Sequence, residues 1–146
     1  MRARVVTAIL SALVPVLALA TPAHAAPGVN IYRVYYDSPG SDTGSNTSLN
    51  AEYVTLKNYG TTTKTLTGWT IRDAANHVYT FGSSTLAGGA TVTVHTGSGT
   101  NTSSHRYWSS GAYIWNNTGD TAYLRRADGT TADECSFGST ADDKLC

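Results

Sequence analysis

Charge, cysteine, helical periodicity and long apolar runs are all scarce in this chain, and each scarcity excludes something. Charged side chains make up only 14% of the 146 residues. Solubility must therefore rest on hydroxyls and amides, a composition that favours strands and turns over helices. Counted after Ala25, eight basic residues face ten acidic ones, a net charge of about minus two if all are ionised. That balance excludes the broad basic footprint of a nucleic-acid binder, for which only Arg125-Arg126 is on offer. No segment beyond the N-terminal region shows a sustained helical period, and after Ala20 no apolar run is long enough to span a bilayer. The hydrolase elbow G-x-S-x-G does not occur; Ser98 lies between Gly97 and Gly99, but within a Gly/Ser/Thr loop. His77, His95 and His105 are not at the paired spacings of zinc ligands and read as surface or edge histidines.

The chain does carry an N-terminal address. Arg2 and Arg4 precede an apolar run from Val5 to Ala20, and Ala23-His24-Ala25 supplies a small-residue cleavage site. Together they read as a secretory signal peptide over residues 1–25, leaving one domain over residues 26–146. The expected product is a secreted, extracellular monomer with no membrane segment after cleavage. Export favours oxidised thiols, so Cys135 and Cys146 are expected to be bonded to each other. Closing that loop would stabilise by about 3 kcal/mol in the chain-entropy model.

Strand patterns dominate the rest. Val29–Asp37 is β-branched and aromatic, with Ile31 and Val34 out of simple alternation, which predicts a bulge between them. Glu52–Asn58 and Thr91–His95 alternate strictly, Trp69 and Ile71 face one way in a further strand, and Asp128-Gly129 marks a hairpin before Thr131–Phe137. Two long loops rich in turn formers, Ser38–Asn50 and Thr96–Ser104, separate these pieces. About eight or nine short strands at roughly ten-residue spacing predict an all-β antiparallel sandwich.

Candidate chemistry is sparse. Asp37, Asp42 and Glu52, with Asn46 and Asn50 nearby, form an oxygen-rich stretch that would suit calcium, although the spacing is not that of an EF-hand and favours a polar turn-forming loop. The adjacent acids Asp133-Glu134 and Asp142-Asp143 lie side by side, unlike the facing carboxylates of a glycosidase. Tyr107 and Trp108, flanked by a flexible loop and Ser109-Ser110-Gly111, form the aromatic pair expected to be exposed and able to stack a ligand. Trp69 and Trp115 sit among alternating apolar residues and are expected in the core.

Taken in order, Glu52-Tyr53-Val54-Thr55-Leu56-Lys57-Asn58, Leu66-Thr67-Gly68-Trp69-Thr70-Ile71-Arg72-Asp73, Tyr79-Thr80-Phe81, Leu86-Ala87-Gly88-Gly89, Val92-Thr93-Val94 and the stretch from Trp115 to Leu124 resemble the lamin-tail domain. The likeness covers about residues 28–137 and implies an immunoglobulin-like β-sandwich, here as a stand-alone secreted bacterial version. The family has no catalytic motif, so no catalytic residue and no cofactor is carried over. The cysteine pair lies outside the family pattern and suggests an extracellular adaptation. The expected role is a non-catalytic binding or structural module of the extracellular or cell-wall environment, its partner a protein or a wall polysaccharide. The rival expectation is a small secreted hydrolase whose site assembles across loops 38–50 and 96–104.

Overall fold

The computed structural model describes residues 28–146; the expected signal peptide lies outside the described residues. In chain order the elements are β1 (Val29–Tyr35), α1 (Asn46–Ala51), β2 (Tyr53–Asn58), β3 (Lys64–Thr65), β4 (Thr70–Arg72), β5 (Val78–Thr80), β6 (Thr85–Leu86), β7 (Thr91–His95), β8 (His105–Tyr107), β9 (Gly119–Arg125), β10 (Thr131–Gly138) and β11 (Asp143–Leu145). They form a five-stranded sheet of order β11-β1-β2-β7-β8, a four-stranded sheet of order β10-β9-β4-β5, and a small β3-β6 ladder. The result is the expected immunoglobulin-like β-sandwich, with more and shorter strands than the pattern predicted. All pairings are antiparallel except that of β7 with β8.

Alternation builds the core. On β2, Val54, Leu56 and Asn58 are buried while Tyr53, Thr55 and Lys57 face outward, and Val92 and Val94 of β7 continue the inner row. Ile71 and Leu124 pack from the opposite sheet, and Trp115 closes the end of the sandwich edge-on to Phe137 at 6.2 Å between ring centroids. Tyr36 stacks on Phe137 at 4.3 Å. The predicted irregularity in β1 appears as a register shift between Ile31 and Arg33. Asn58 is buried yet satisfied: its side-chain amide donates to Thr62 O and Leu86 O, and its oxygen accepts from Gly60 N. That one side chain pins the β3-β6 flap to the sandwich.

Two stretches differ from the pattern. Loop 38–50 ends in α1, a single short helix capped by Ser45, whose hydroxyl accepts from Ser48 N at 3.2 Å. So short a helix leaves no periodicity to detect in sequence. Asp142-Asp143, where no strand was predicted, leads into β11, which pairs with β1 through Arg33–Leu145, Val34–Lys144 and Tyr35–Asp143. The Cys135–Cys146 bond is formed and fastens this strand to β10.

Candidate functional site

The outward face of the five-stranded sheet gathers the side chains that alternation leaves outside. Strand pairing sets them in cross-strand rows: Asp143, Tyr35, Tyr53, His95 and Tyr107 in one, and Leu145, Arg33, Thr55, Thr93 and His105 in the next. Tyr35 and Tyr53 stack at 5.3 Å, Tyr53 and His95 meet at 5.7 Å, and His95 and Tyr107 stack at 5.2 Å. Tyr35 with Tyr53 and His95 with Tyr107 are near parallel, at 25° and 21°, so within each pair the facing ring surfaces are spent on each other, while Tyr53 and His95 are tilted by 59°. Arg33 closes one side by pairing with Asp143 at 3.0 Å.

His95 and His105 form the polar end of this surface. His95 Nδ1 lies 2.8 Å from Asn50 O, and a carbonyl can only accept, so Nδ1 carries the proton. His95 Nε2 then accepts from His105 Nδ1, 3.0 Å away. The ring planes differ by only 21°, so the two imidazoles continue one hydrogen-bonded chain from the Asn50 carbonyl to solvent. Burial holds His95 below the ordinary imidazole pKa; the Asn50 carbonyl opposes that shift and His105 adds to it.

The two long loops meet beside this chain. Asn46 and Asn50 of α1 both donate to Ser98 O at 3.0 Å, and Ser98 N returns a bond to Asn46 Oδ1 at 2.7 Å. The approach is close enough that a Cβ on Gly97 would lie 2.5 Å from Asn46 Oδ1, and one on Gly99 would lie 2.4 Å from the Tyr107 ring. A side chain at Gly97 would push the Asn46 and Asn50 amides off Ser98, and one at Gly99 would collide with the Tyr107 ring. Although the loops assemble as the hydrolase reading needs, no serine, threonine or cysteine side chain hydrogen-bonds a histidine ring among the described residues; Thr102 Oγ1 meets only the His105 backbone N–H. The one acid–histidine contact among the described residues, Asp73 Oδ2 to His77 Nδ1 at 2.6 Å, belongs to the β4-β5 turn, where Asp73 also accepts from His77 N.

The calcium candidates do not form one ligand set. Asp37 and Asp42 both accept from Asn117 Nδ2, at 2.9 and 3.2 Å, and Asp42 also accepts from Ser38 Oγ. Glu52 turns inward and is fully buried; its Oε1 takes bonds from Thr96 Oγ1, Ile114 N and Trp115 N, while Oε2 has no partner. Burial drives its pKa up to about 7 against those three donors. Among the described residues no group of three or more His, Cys, Asp or Glu side chains is arranged to hold a metal ion. Tyr107 and Trp108, expected as one exposed pair, point to opposite faces. Trp108 packs on the core, 6.1 Å from Trp115 and 5.8 Å from Tyr79, and Tyr107 is held between His95 and Gly99. Adjacent residues on an extended strand must diverge in this way.

An immunoglobulin-like sandwich with an organised outer sheet face is an architecture of the binding or structural class. The chain belongs to the lamin tail domain family, whose model, Lamin Tail Domain, matches residues 22–139. No curated protein matches it.

Proposed function

We propose that the protein is a secreted, non-catalytic binding module of the extracellular or cell-wall environment, and that it engages a protein partner through the outer face of the five-stranded sheet. The observation that carries this reading is the unbroken row Tyr35, Tyr53, His95 and Tyr107 across four strands. Of the two partner classes a sequence of this kind suggests, protein suits this face better. A sugar ring stacks on a free aromatic face, and here one face of each ring in the pairs Tyr35–Tyr53 and His95–Tyr107 is covered by its partner. Hydroxyl and imidazole rims beside Arg33 offer the tyrosine-rich, arginine-containing surface on which protein contacts concentrate. The rings are already packed against one another, so little side-chain freedom remains to be lost on binding. The basic start, apolar run and A-x-A site at residues 1–25 support export.

Immobilised protein, exposed separately to secreted proteins and to purified wall glycans, should retain a protein, and a Tyr35→Ser/Tyr53→Ser variant should lose it while keeping its circular dichroism. Retention of glycans alone, or capture unchanged by the substitutions, overturns the reading. N-terminal sequencing of the exported protein should begin at Ala26.

A further inference from the structure

At the far end of the sandwich, Gly28, Val29, Lys64, Trp69 and Arg126 enclose a cavity of about 260 Å³. Two of its five lining residues are cations, none is an acid, and neither Lys64 nor Arg126 forms an ion pair among the described residues. Arg126 lies over the Trp69 indole, 5.8 Å from its centroid. Its Nη1 donates to Thr131 O at 2.7 Å and to Thr130 Oγ1 at 3.3 Å. These bonds use one guanidinium nitrogen and hold the fork in place. The closest acid in sequence, Asp128, accepts from Thr130 N at 2.9 Å and Thr130 Oγ1 at 2.7 Å; those bonds, with a smaller contribution from Arg126, hold its carboxyl below the ordinary range, but it forms no ion pair with Arg126.

We propose that this cleft is a second binding site, distinct from the sheet face, which takes an oxyanion, carboxylate or phosphate, borne on a group the size of one sugar ring. A guanidinium fixed by stacking and by a backbone carbonyl is preorganised to meet an oxyanion with its remaining N–H groups. Lys64 supplies a second positive charge to the lining, and the indole supplies an apolar wall for the body that carries the anion. The size is decisive for class. Pockets for drug-sized ligands run from roughly 300 Å³ upward, so this one suits a single terminal group. Two cations lining one cleft without an ion pair also focus anions there.

The test is an amide and indole NMR titration of the purified protein with three probes: an oligosaccharide ending in a uronic acid, a glycerol phosphate oligomer, and a neutral oligosaccharide of equal length. Both anionic probes, or one of them, should shift the signals of Lys64, Trp69 and Arg126, and the neutral probe should not. The stronger anionic probe names the source of the oxyanion. A Lys64→Gln/Arg126→Gln variant, altered only at exposed side chains, should bind about tenfold more weakly or worse. A Lys57→Gln/Lys144→Gln variant carries the same charge change elsewhere and should bind as the parent does. Equal shifts from the neutral probe, unaltered binding by the cleft variant, or equal weakening by both variants overturns the proposal. Because Tyr35 and Tyr53 lie on the other site, the Tyr35→Ser/Tyr53→Ser protein should still bind the anion, which separates this result from the fate of the sheet-face reading.

Discussion

Glu52 shows how much one side chain can carry. Its Oε1 joins the start of β2 to the Thr96 loop and to the Ile114-Trp115 backbone, so a single oxygen ties three segments together inside the protein. The cost is a buried carboxyl whose pKa stands at about 7, above the ordinary 4.5. A raised acid pKa means that the folded chain binds more protons than the unfolded chain between those two values. The contribution of Glu52 to stability is therefore fully present below the lower value, falls as pH rises through the window, and is level above the upper one. The full swing is up to about 3 kcal/mol. His95 runs the other way: its lowered pKa contributes stability present above the ordinary imidazole value and lost as pH falls. Urea unfolding of Glu52→Gln between pH 5 and 8 should lose the falling limb and rise with pH through the histidine range; a curve of wild-type shape would reject this role for Glu52. None of this could be read from the sequence, where Glu52 stood beside Asp37 and Asp42 as one more oxygen donor. Linear proximity does not say which way a residue at the junction of helix and strand turns.

At the level of elements, alternation told which residues of β2 and β7 face out, residue by residue in Thr91–His95, whereas β1, with its bulge, could not be read that way. What it did not tell was register. The Tyr35, Tyr53, His95 and Tyr107 row exists only because four strands align at those positions, and a shift of one residue in any of them would break it. The meeting of the two long loops was equally hidden, because it depends on α1 presenting Asn46 and Asn50 to one carbonyl. Asn46→Ala removes two of the three bonds in that clamp and should cost about 1–2 kcal/mol. Hydrogen exchange is the sharper measure, since the Ser98 amide should lose protection while the β2 amides keep theirs. Uniform loss across the sheet, or none at Ser98, would show that the loops are held by something else.

For the molecule as a whole, the Cys135–Cys146 bond closes the chain on itself. A Cys135→Ser/Cys146→Ser variant should be less stable by about 3 kcal/mol in denaturant titrations. The larger effect should come from what that bond keeps in place. β1 is a seven-residue strand with three buried apolar residues, and without β11 it would be the margin of its sheet. In the folded chain that margin is occupied along its length. Asp133 takes the Ile31 N–H, the Cys146 N–H meets Tyr32 O, β11 pairs with Arg33 to Tyr35, and Asp142 O receives the Tyr36 and Asp37 amides. The new margin is only three residues long and carries Asp143 and Lys144. An unpaired, apolar strand edge is a template on which other chains assemble, and a short charged edge is not. The C-terminal strand thus acts as a guard against self-association, latched by sulfur. Reduction should expose β1 and yield thioflavin-positive aggregates at concentrations where the oxidised protein stays dispersed.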